Sequence, residues 1–462
     1  MAHIGEHAVV LGASMGGLLA ARVLADFYRS VTVVERDELP TTPVNRRGVP
    51  QGRQPHLLLA RAAQILEEQF PGILDELVTA GAPVWADGDL SRFWVSFGGH
   101  LLVRSGSIPD PQALVNYYPT RPLLEWTVRR RLAALPNVEI LHGHDVAALT
   151  AAPDGTGVTG ARIVHRAENA ESELSADLVV DATGRGSRTP VFLEALGYDR
   201  PREDELTVRT VYASQPVHIP DGVLHENLIA IMPDATCPRA FVMFRGENDT
   251  WLMCAGAVGG GEPARSRDEI LSTADDLAPR HIVATARASQ PLAEVSQYRF
   301  PSNRWRRYDQ MARTPERLLV MGDAICSFNP IYGQGMTVAA IESLILRDCL
   351  CDGVGDLPRR FFKGAAKKIE VAWQTAVGSD LTLPQVQGPR PLSTRLTNAY
   401  LDRVLAAAET DSVVAQQFLR VTGMIDPPTK LLRPAFVSRV LRTAAQPRDR
   451  QAQSSRDMVS NR

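Results

Sequence analysis

The first forty residues combine two short apolar runs with one helical apolar face. Ala8 to Leu11 are an apolar run that predicts a buried strand, and Val31 to Val34 predict a second strand. Between the two runs, apolar residues recur with helical spacing at Leu18, Leu19, Val23, Leu24 and Phe27. Residues 7–36 are therefore predicted to form a strand, a turn, a helix and a second strand.

The turn that follows the first strand has the composition of a dinucleotide site. Gly12 permits a tight turn, and Gly17 lets the helix pack closely on the strand. The helix N-terminus would direct N–H groups at a pyrophosphate, and Glu35 is placed to accept hydrogen bonds from a ribose. Ser14 replaces the middle glycine of the usual G-x-G-x-x-G motif and narrows the gap for the pyrophosphate. A glycine-rich turn without a ligand is the alternative, and the complete strand–helix–strand–acid order argues against it.

The pattern changes twice farther along the chain. Residues 40–56 are rich in Pro, Gly and Arg and predict an extended loop, in which Arg46, Arg47 and Arg53 would lie near the phosphates or, as the alternative, would be solvated. The other predicted elements are two helices over 57–80, a hairpin over 91–104, a helix over 121–134, short strands over 138–181, long strands over 205–300 with a helical stretch at 267–288, a strand at 317–321, a helix from Met336 to about Cys349, and mostly helix over 358–443.

Composition narrows the functional classes. Of the 462 residues, 44% are apolar and 22% are charged, and the net charge of −2 gives no reason to expect nucleic acid or an anionic membrane as a partner. The five cysteines have no metal-ligand spacing, which indicates reduced thiols, a cytoplasmic location and no metal. No run approaches the roughly 20 apolar residues of a membrane span, and the N-terminal apolar run is not a signal peptide.

A second and a third segment add to the nucleotide motif. In GDAICSFNPIYGQGM, Asp323 follows a strand and can bind a ribityl hydroxyl, while Pro330, Gly333 and Gly335 let the backbone pass close to a flat ring. The helix that begins near Met336 would direct its N-terminus at that ring and favour the negative charge of a reduced flavin. The segment DATGRGSR, from Asp181, would bring the chain back beside the cofactor.

The three motifs, in this order, resemble those of the single-component FAD-dependent monooxygenases of the aromatic-hydroxylase and squalene-epoxidase type. The residues that match are Gly12 and Gly17, Asp181 and Gly184, and Gly322 and Asp323, over about residues 7–350. VVLGASMGG, RRGVPQGRQPH, DATGRGSR and GDAICSFNPIYGQGM look most similar to bacterial epoxidases of polyether assembly. By the family pattern, Arg121 would also contact the cofactor.

The resemblance implies that FAD, reduced by a transient NAD(P)H or by a separate flavin reductase, reacts with O2 through a flavin C4a-hydroperoxide. One oxygen atom then enters a small apolar substrate, of the kind made in secondary metabolism, by epoxidation or hydroxylation. No side chain is predicted to be catalytic, because the resemblance implies that the flavin carries out the chemistry. A lone His such as His56 or His100 is more often structural. The aromatic residues Phe93, Trp94, Phe97, Tyr117 and Tyr118 would line a substrate pocket or, as the alternative, belong to the core.

The predicted fold class is α/β, with a Rossmann-type FAD-binding domain, an inserted antiparallel-sheet substrate domain and a helical C-terminal extension. The FAD-binding domain would comprise 1–90, 119–190 and 301–380, the substrate domain 91–118 and 191–300, the extension 381–443 and a disordered tail 444–462. The predicted cofactor-binding residues are Gly12, Ala13, Ser14, Gly17, Glu35, Arg36, Arg47, Arg53, Arg121, Asp181, Gly322, Asp323, Pro330, Gly333, Gly335 and Met336.

Three other functions use the same cofactor fold. A reductase or dehydrogenase of the geranylgeranyl-reductase type needs the same FAD contacts without oxygen chemistry, and a non-catalytic flavin-binding protein needs only the contacts. A tryptophan-type halogenase relies on a lysine in its first hundred residues and on a W-x-W-x-I-P segment. The first lysine of this chain is Lys363 and it has no such segment, which argues against halogenation.

Overall fold

The computed structural model describes residues 3–444, which form four β-sheets and twelve α-helices. The strands are β1 (Gly5–Leu11), β2 (Tyr28–Val34), β3 (Val84–Trp85), β4 (Phe93–Phe97), β5 (His100–Leu101), β6 (Asn116–Tyr117), β7 (Val138–Leu141), β8 (His144–Ala151), β9 (Val158–His165), β10 (Glu171–Ser175), β11 (Leu178–Asp181), β12 (Glu203–His218), β13 (Leu228–Ile231), β14 (Arg239–Arg245), β15 (Thr250–Ala257), β16 (Gln290–Pro291), β17 (Ser296–Arg306), β18 (Leu318–Val320) and β19 (Cys326–Ser327). The helices are α1 (Met15–Leu24), α2 (Ala60–Gln69), α3 (Ile73–Thr79), α4 (Arg121–Ala133), α5 (Thr189–Ala195), α6 (Arg267–Leu277), α7 (Arg280–Ala288), α8 (Gly335–Cys351), α9 (Leu357–Asp380), α10 (Leu392–Ala408), α11 (Ser412–Thr422) and α12 (Pro434–Ala444).

A five-stranded parallel sheet carries the nucleotide motif. Its strand order is β18-β11-β1-β2-β7, so β1 lies at the centre, with Val9 opposite both Val179 and Thr32. Parallel strands that are covered on both faces are continuously apolar, as the run at the end of β1 is. Helices α1, α2, α4, α8 and α9 contribute side chains to the same core as this sheet. The carboxyl ends of β1, β11 and β18 therefore bring the three motifs to one edge of the sheet.

A nine-stranded sheet forms the second layer, and its side chains alternate between two apolar clusters. On β12, Tyr212 packs with the C-terminal helices, whereas the next residue, Ala213, packs with α6 and α7. The same alternation relates Val242 to Met243 on β14. The sheet is antiparallel apart from one pair, because the predicted hairpin β4–β5 joins it through a parallel β4–β13 contact.

The predicted α/β fold class is confirmed, including the helical C-terminal region. Val404 of α10 and Phe418 of α11 are buried against the nine-stranded sheet, in the cluster that contains Phe93 and Tyr212. Strand β17 is longer than the predicted strand near 292–300, and it continues to Arg306. The predicted disordered tail lies outside the described residues except for Ala444, which ends α12. Among residues 3–444, no helix is both long enough and apolar enough to cross a membrane.

Candidate active site

The turn between β1 and α1 requires glycine at two positions. Gly12 has a φ of +99°, and a Cβ atom there would lie 2.6 Å from the carbonyl oxygen of Ala182. A Cβ atom at Gly17 would lie 1.8 Å from the carbonyl oxygen of Gly12. Both distances are far below van der Waals contact, so only glycine lets α1 and the end of β11 approach the end of β1 this closely.

Helix α1 begins without a capping side chain. Its N-cap residue Ser14 makes no side-chain hydrogen bond to the first turn, and that turn contains no acidic residue. The Ser14 hydroxyl instead accepts a hydrogen bond of 2.8 Å from Nη2 of Arg121. The first N–H groups of α1 thus remain available to an anion, as a pyrophosphate site requires.

A buried cluster of charges surrounds the Ala13 peptide. Glu35, which is only 5% exposed, accepts a 2.9 Å hydrogen bond from the Ala13 N–H group. Arg46 donates to the Ala13 carbonyl oxygen and pairs with three carboxylates, at 3.2 Å from Glu35, 2.9 Å from Asp37 and 2.6 Å from Glu125. Burial disfavours the charge on Arg46, yet the carboxylates of Glu125 and Glu35 raise its pKa. This network holds the turn and the end of β2 in one geometry.

Three predicted arginines lie outside this network. Arg36, Arg47 and Arg53 are exposed, and none makes a hydrogen bond or ion pair with another residue in the 3–444 range. Arg46 is not among the predicted cofactor-binding residues, and it is the buried one of the three arginines in the loop 40–56. Contacts of Arg36, Arg47 and Arg53 with a cofactor remain predictions.

Arg121 connects the first motif to the third. Its Nη2 atom contacts Ser14 at the start of α1, and its Nη1 atom lies 3.2 Å from Sδ of Met336 at the start of α8. Glu125, one turn later on α4, accepts a 2.8 Å hydrogen bond from the same guanidinium. Like α1, α8 starts without a capping side chain or an acid in its first turn. Two uncapped helix N-termini therefore lie on either side of Arg121. The space that borders Ser14, Arg121 and Met336 is called the cleft.

Asp323 lies in the wall of this cleft. Its residue surface is exposed, yet protein atoms surround the carboxylate, so desolvation raises its pKa while Arg121 and Arg185 oppose that shift. An exposed residue surface together with a desolvated carboxylate indicates that the carboxylate faces a concave space rather than open solvent. A Cβ atom at Gly335 would lie 3.6 Å from Asp323 Oδ1, whereas one at Gly333, where φ is +66°, would meet nothing within 4 Å. The backbone of this loop leaves room for a ligand.

Asp181 organises the second motif from within. Oδ1 accepts hydrogen bonds from the Thr183 N–H group and hydroxyl, at 2.8 and 2.6 Å. Oδ2 accepts from the hydroxyls of Ser187 and Thr189, at 2.5 and 2.6 Å. The carboxylate is 1% exposed, and its four donors belong to the loop after β11 and to the first residue of α5, so its contribution in this structure is to shape the turn. Beyond it, Cβ atoms at Gly184 or Gly186 would meet open space within 4 Å.

The two histidines considered from the sequence occupy different settings. His56 contacts the Gln54 carbonyl oxygen through Nδ1 at 2.9 Å, and desolvation together with the charge of Arg121 lowers its pKa to about 4. It is therefore neutral at pH 7 and lies on the Arg121 side of the cleft. His100 instead pairs with Glu409 at 2.6 Å and Asp402 at 3.1 Å, in contact with α10 and its C-terminal end.

The model of the FAD-binding domain family matches residues 6–351. The chain belongs to this family. FAD is accordingly its cofactor, and the residues present fit it: Gly12 and Gly17 permit the tight turn before α1, and both α1 and α8 begin without a capping side chain.

The chain is also similar to individual proteins. The protein Rv3254 of Mycobacterium tuberculosis is 37% identical over 438 residues, which cover 91% of this chain and 90% of the relative. The structure of p-nitrophenol 4-monooxygenase PnpA from Pseudomonas putida is similar, with a TM-score of 0.65 and 17% identity, over 92% of this chain and all of that one. The structure of the flavin-dependent brominase Bmp2 has a TM-score of 0.64 and 13% identity, over 95% and 98% of the two chains. The fold is thus that of flavin-dependent monooxygenases, and proteins with other flavin chemistry share it.

Sequence reasoning missed several residues around the FAD cleft. Arg185 donates to the Ser302 carbonyl oxygen at 2.7 Å, and its charge acts on Asp323. Arg185 belongs to the motif DATGRGSR, where an arginine among small residues could have indicated a functional role. Glu125 could have been found from its position one helical turn after Arg121. Glu342 and Asp380, discussed below, gave no signal, because a single acid on a long helix is usually exposed.

Proposed function

We propose that the protein is an FAD-dependent monooxygenase that inserts one oxygen atom from O2 into a small apolar substrate, by epoxidation or hydroxylation. Bound FAD would supply the oxygen activation, and the protein would orient the substrate and keep water away from the reacting atoms. The observation that carries the proposal is an apolar layer that abuts the flavin end of the cleft.

This apolar layer lies between the nine-stranded sheet and the C-terminal helices. Tyr212 of β12 belongs to it, and Tyr212 stacks on Tyr298 of β17 with 5.4 Å between the ring centroids. After desolvation, the charge of Asp323 is the next cause that raises the pKa of Tyr298, so this pair lies beside the acid of the third motif. A substrate placed between this layer and the flavin would meet apolar side chains on the side away from the ring. Such surroundings exclude water, as oxygen transfer from a flavin requires.

The proposed cofactor contacts follow the two helix N-termini. The start of α1 would bind the pyrophosphate, Glu35 the adenosine ribose and Asp323 the ribityl chain. The start of α8, at Met336, would face the pyrimidine part of the flavin ring, where negative charge develops on reduction. Arg121 would lie between the two, because it already contacts Ser14 and Met336.

Electrons would come from NAD(P)H that binds transiently, or from a separate flavin reductase. The glycine-rich stretch 256–261 begins in β15 and continues into a loop, and a charged segment with Pro263 follows it before α6 starts at Arg267. It lacks the strand–turn–helix order of a second dinucleotide motif. A reductant that visits only for hydride transfer fits this arrangement.

Lysine-dependent halogenation is disfavoured by where the lysines are. Lys363, Lys367 and Lys368 are exposed on α9, and Lys430 lies in a short turn between α11 and α12. None of the four belongs to an element that forms the cleft wall at α1, α4 or the start of α8. This distribution gives no support to a lysine at the proposed position of the flavin.

The test combines kinetics with isotope labelling. The FAD-loaded protein is reduced without oxygen, mixed rapidly with oxygenated buffer and followed by flavin absorbance, with and without candidate apolar alkenes and aromatics. We expect a product that gains one oxygen atom, and that atom should carry the isotope label of the O2 supplied. A product that gains two hydrogen atoms, in a reaction unaffected by removing O2, would establish the reductase function instead.

A further inference from the structure

Asp380 is a buried acid that pairs with no cation among residues 3–444. It is the last residue of α9, and it is 0% exposed. Its carboxylate accepts three hydrogen bonds from neutral donors: Asn303 Nδ2 at 2.6 Å, Asn329 Nδ2 at 2.9 Å and the Tyr332 hydroxyl at 2.8 Å. Burial raises its pKa, and these three hydrogen bonds oppose the shift.

An acid at this position is unfavourable for packing alone. The C-terminal end of a helix carries partial negative charge, so a carboxylate there is repelled. Removal of a carboxylate from water is also costly, and no cation among the described residues compensates this one. The position of the three donors indicates what the acid contributes.

The donors join two parts of the flavin wall. Asn329 and Tyr332 lie on either side of Pro330 in the loop that leads to α8, and Asn303 lies on β17. A further hydrogen bond of 2.5 Å runs from the Asn329 N–H group to the Asn303 side chain. Asp380 therefore fastens the loop to the strand that carries Tyr298.

The opposite side of the loop faces the cleft. Pro330 is exposed, and a Cβ atom at Gly333 would meet open space within 4 Å. The loop then enters α8, where Met336 contacts Arg121 at 3.2 Å. Asp380 and its three donors thus lie on the side of the loop opposite to the surface on which a flavin ring would lie.

We propose that Asp380 is a positioning residue for FAD: through Asn303, Asn329 and Tyr332 it holds residues 329–335 against β17 and thereby sets how the loop and the start of α8 meet the flavin ring. The proposal rests on FAD binding by this family and not on the oxygen chemistry. Its test needs neither O2 nor substrate, so its failure would leave the proposed reaction untouched.

The main variant is Asp380→Asn, which keeps the shape but brings an amide donor to a point where three donors meet. At least one hydrogen bond is lost whichever way the amide turns. We expect the Kd for FAD, from titration of the apoprotein, to rise by about tenfold or more, which corresponds to about 1.4 kcal/mol. The visible circular dichroism and the reduction potential of the bound flavin should also change, because the ring meets a displaced wall.

Two further variants separate positioning from stability. Tyr332→Phe removes a single hydroxyl and should change the flavin signals in the same direction by a smaller amount. The matched control is Glu226→Gln, an acid that is 2% exposed and accepts from Arg104 at 2.6 Å and His281 at 3.1 Å, away from residues 329–335. This control should lower the unfolding temperature and leave FAD affinity and the flavin spectra unchanged.

The outcome is decided by the flavin signals. Altered affinity and spectra in Asp380→Asn and Tyr332→Phe, with none in Glu226→Gln, support the proposal. If Asp380→Asn only lowers the unfolding temperature, as the control does, Asp380 is a structural residue. If Asp380→Asn does not fold and Tyr332→Phe retains wild-type flavin signals, the proposal is also overturned.

Discussion

The two ends of the FAD cleft differ in how their buried charged side chains are paired. At the start of α1, Arg46 and Arg121 are paired with Glu35, Asp37 and Glu125 at distances of 2.6 to 3.2 Å. At the other end, near the third motif, two buried acids have no ion-pair partner among the described residues. Glu342 of α8 accepts a 2.6 Å hydrogen bond from the Gly322 N–H group, and Asp380 at the end of α9 accepts from neutral side chains. Asp323 lies between, within the influence of Arg121 and Arg185.

The pKa values follow this difference. Burial alone would raise the pKa of Glu125, but Arg121 and Arg46 together hold it below its ordinary value. Burial raises the pKa of Glu342 to about 8, against the effect of the Gly322 hydrogen bond and with a further increase from Asp323. One end of the cleft is therefore permanently charged, whereas the other holds acids whose protonation depends on pH. The fixed end suits a phosphate binder, and the variable end is where we propose that the flavin ring binds.

The largest effect should come from removing the cation at the charged end. Arg46→Met removes the cation that pairs with three buried carboxylates. We therefore expect the free energy of unfolding to fall by about 3–5 kcal/mol and FAD to be lost. Arg47→Met is the matched control, since Arg47 is exposed and should stay within about 0.5 kcal/mol of the wild type. Chemical denaturation and FAD retention measure both variants. Loss of FAD in Arg47→Met at unchanged stability would support the predicted contact of Arg47 with the cofactor, whereas unchanged stability of Arg46→Met would contradict the structural role of Arg46.

At the flavin end, Asp323→Ala should separate affinity from stability. The variant loses the proposed hydrogen bond to the ribityl chain, worth about 1.5–3 kcal/mol for a charged acceptor, so FAD should bind about ten- to a hundredfold more weakly. The apoprotein should be as stable as the wild type, because a carboxylate that burial disfavours has been removed. Titration with FAD and thermal unfolding of the apoprotein give the two quantities. Unchanged affinity would exclude Asp323 from the cofactor site.

Glu342→Gln should reveal the pH dependence that distinguishes this end. The folded-state pKa of about 8 lies above the ordinary value of 4.5, so between these values the folded protein keeps a proton that the unfolded chain releases. Wild-type stability from this group is thus present at low pH and falls as pH rises, by at most about 1.4 kcal/mol per pH unit. Glutamine resembles the protonated acid and lacks this loss.

The measurement for Glu342 is the difference in unfolding free energy between the variant and the wild type, both loaded with FAD, at about pH 5 and about pH 8. The difference should favour the variant increasingly as pH rises. The comparison with the variant is needed because His56, with its pKa lowered to about 4, contributes the opposite slope between that value and 6.5. A difference that is the same at both pH values would mean that Glu342 ionises normally.

The smallest effect should come from Ser14. Ser14→Ala removes the hydroxyl that accepts from Arg121, a single hydrogen bond worth about 0.5–1.5 kcal/mol. The guanidinium keeps Glu125, so the charged end should remain intact and FAD should still bind. Thermal unfolding and FAD titration check this. Complete loss of FAD would show that Ser14 contacts the cofactor itself.

The sequence was most informative where structure is local. Periodicity and turn chemistry within a few residues predict the β1–α1–β2 unit, the glycines at positions 12 and 17 and the start of α8. The loop 40–56 was less predictable, because its three arginines could not be distinguished from the sequence. Only the folded chain shows that Arg46 forms ion pairs with Glu35 and Glu125. The parallel β4–β13 pair was equally hidden, because it joins segments more than a hundred residues apart.

By itself, the sequence determined the α/β fold class, the FAD cofactor and the order of the three motifs along the chain. These depend on short-range patterns that any chain must have to form such a turn. The tertiary structure decided which charges are paired and which acids are buried alone, as for Arg46 and Asp380. That outcome depends on side chains that meet across long separations in sequence, and on the cost of removing each charge from water, which no local pattern encodes.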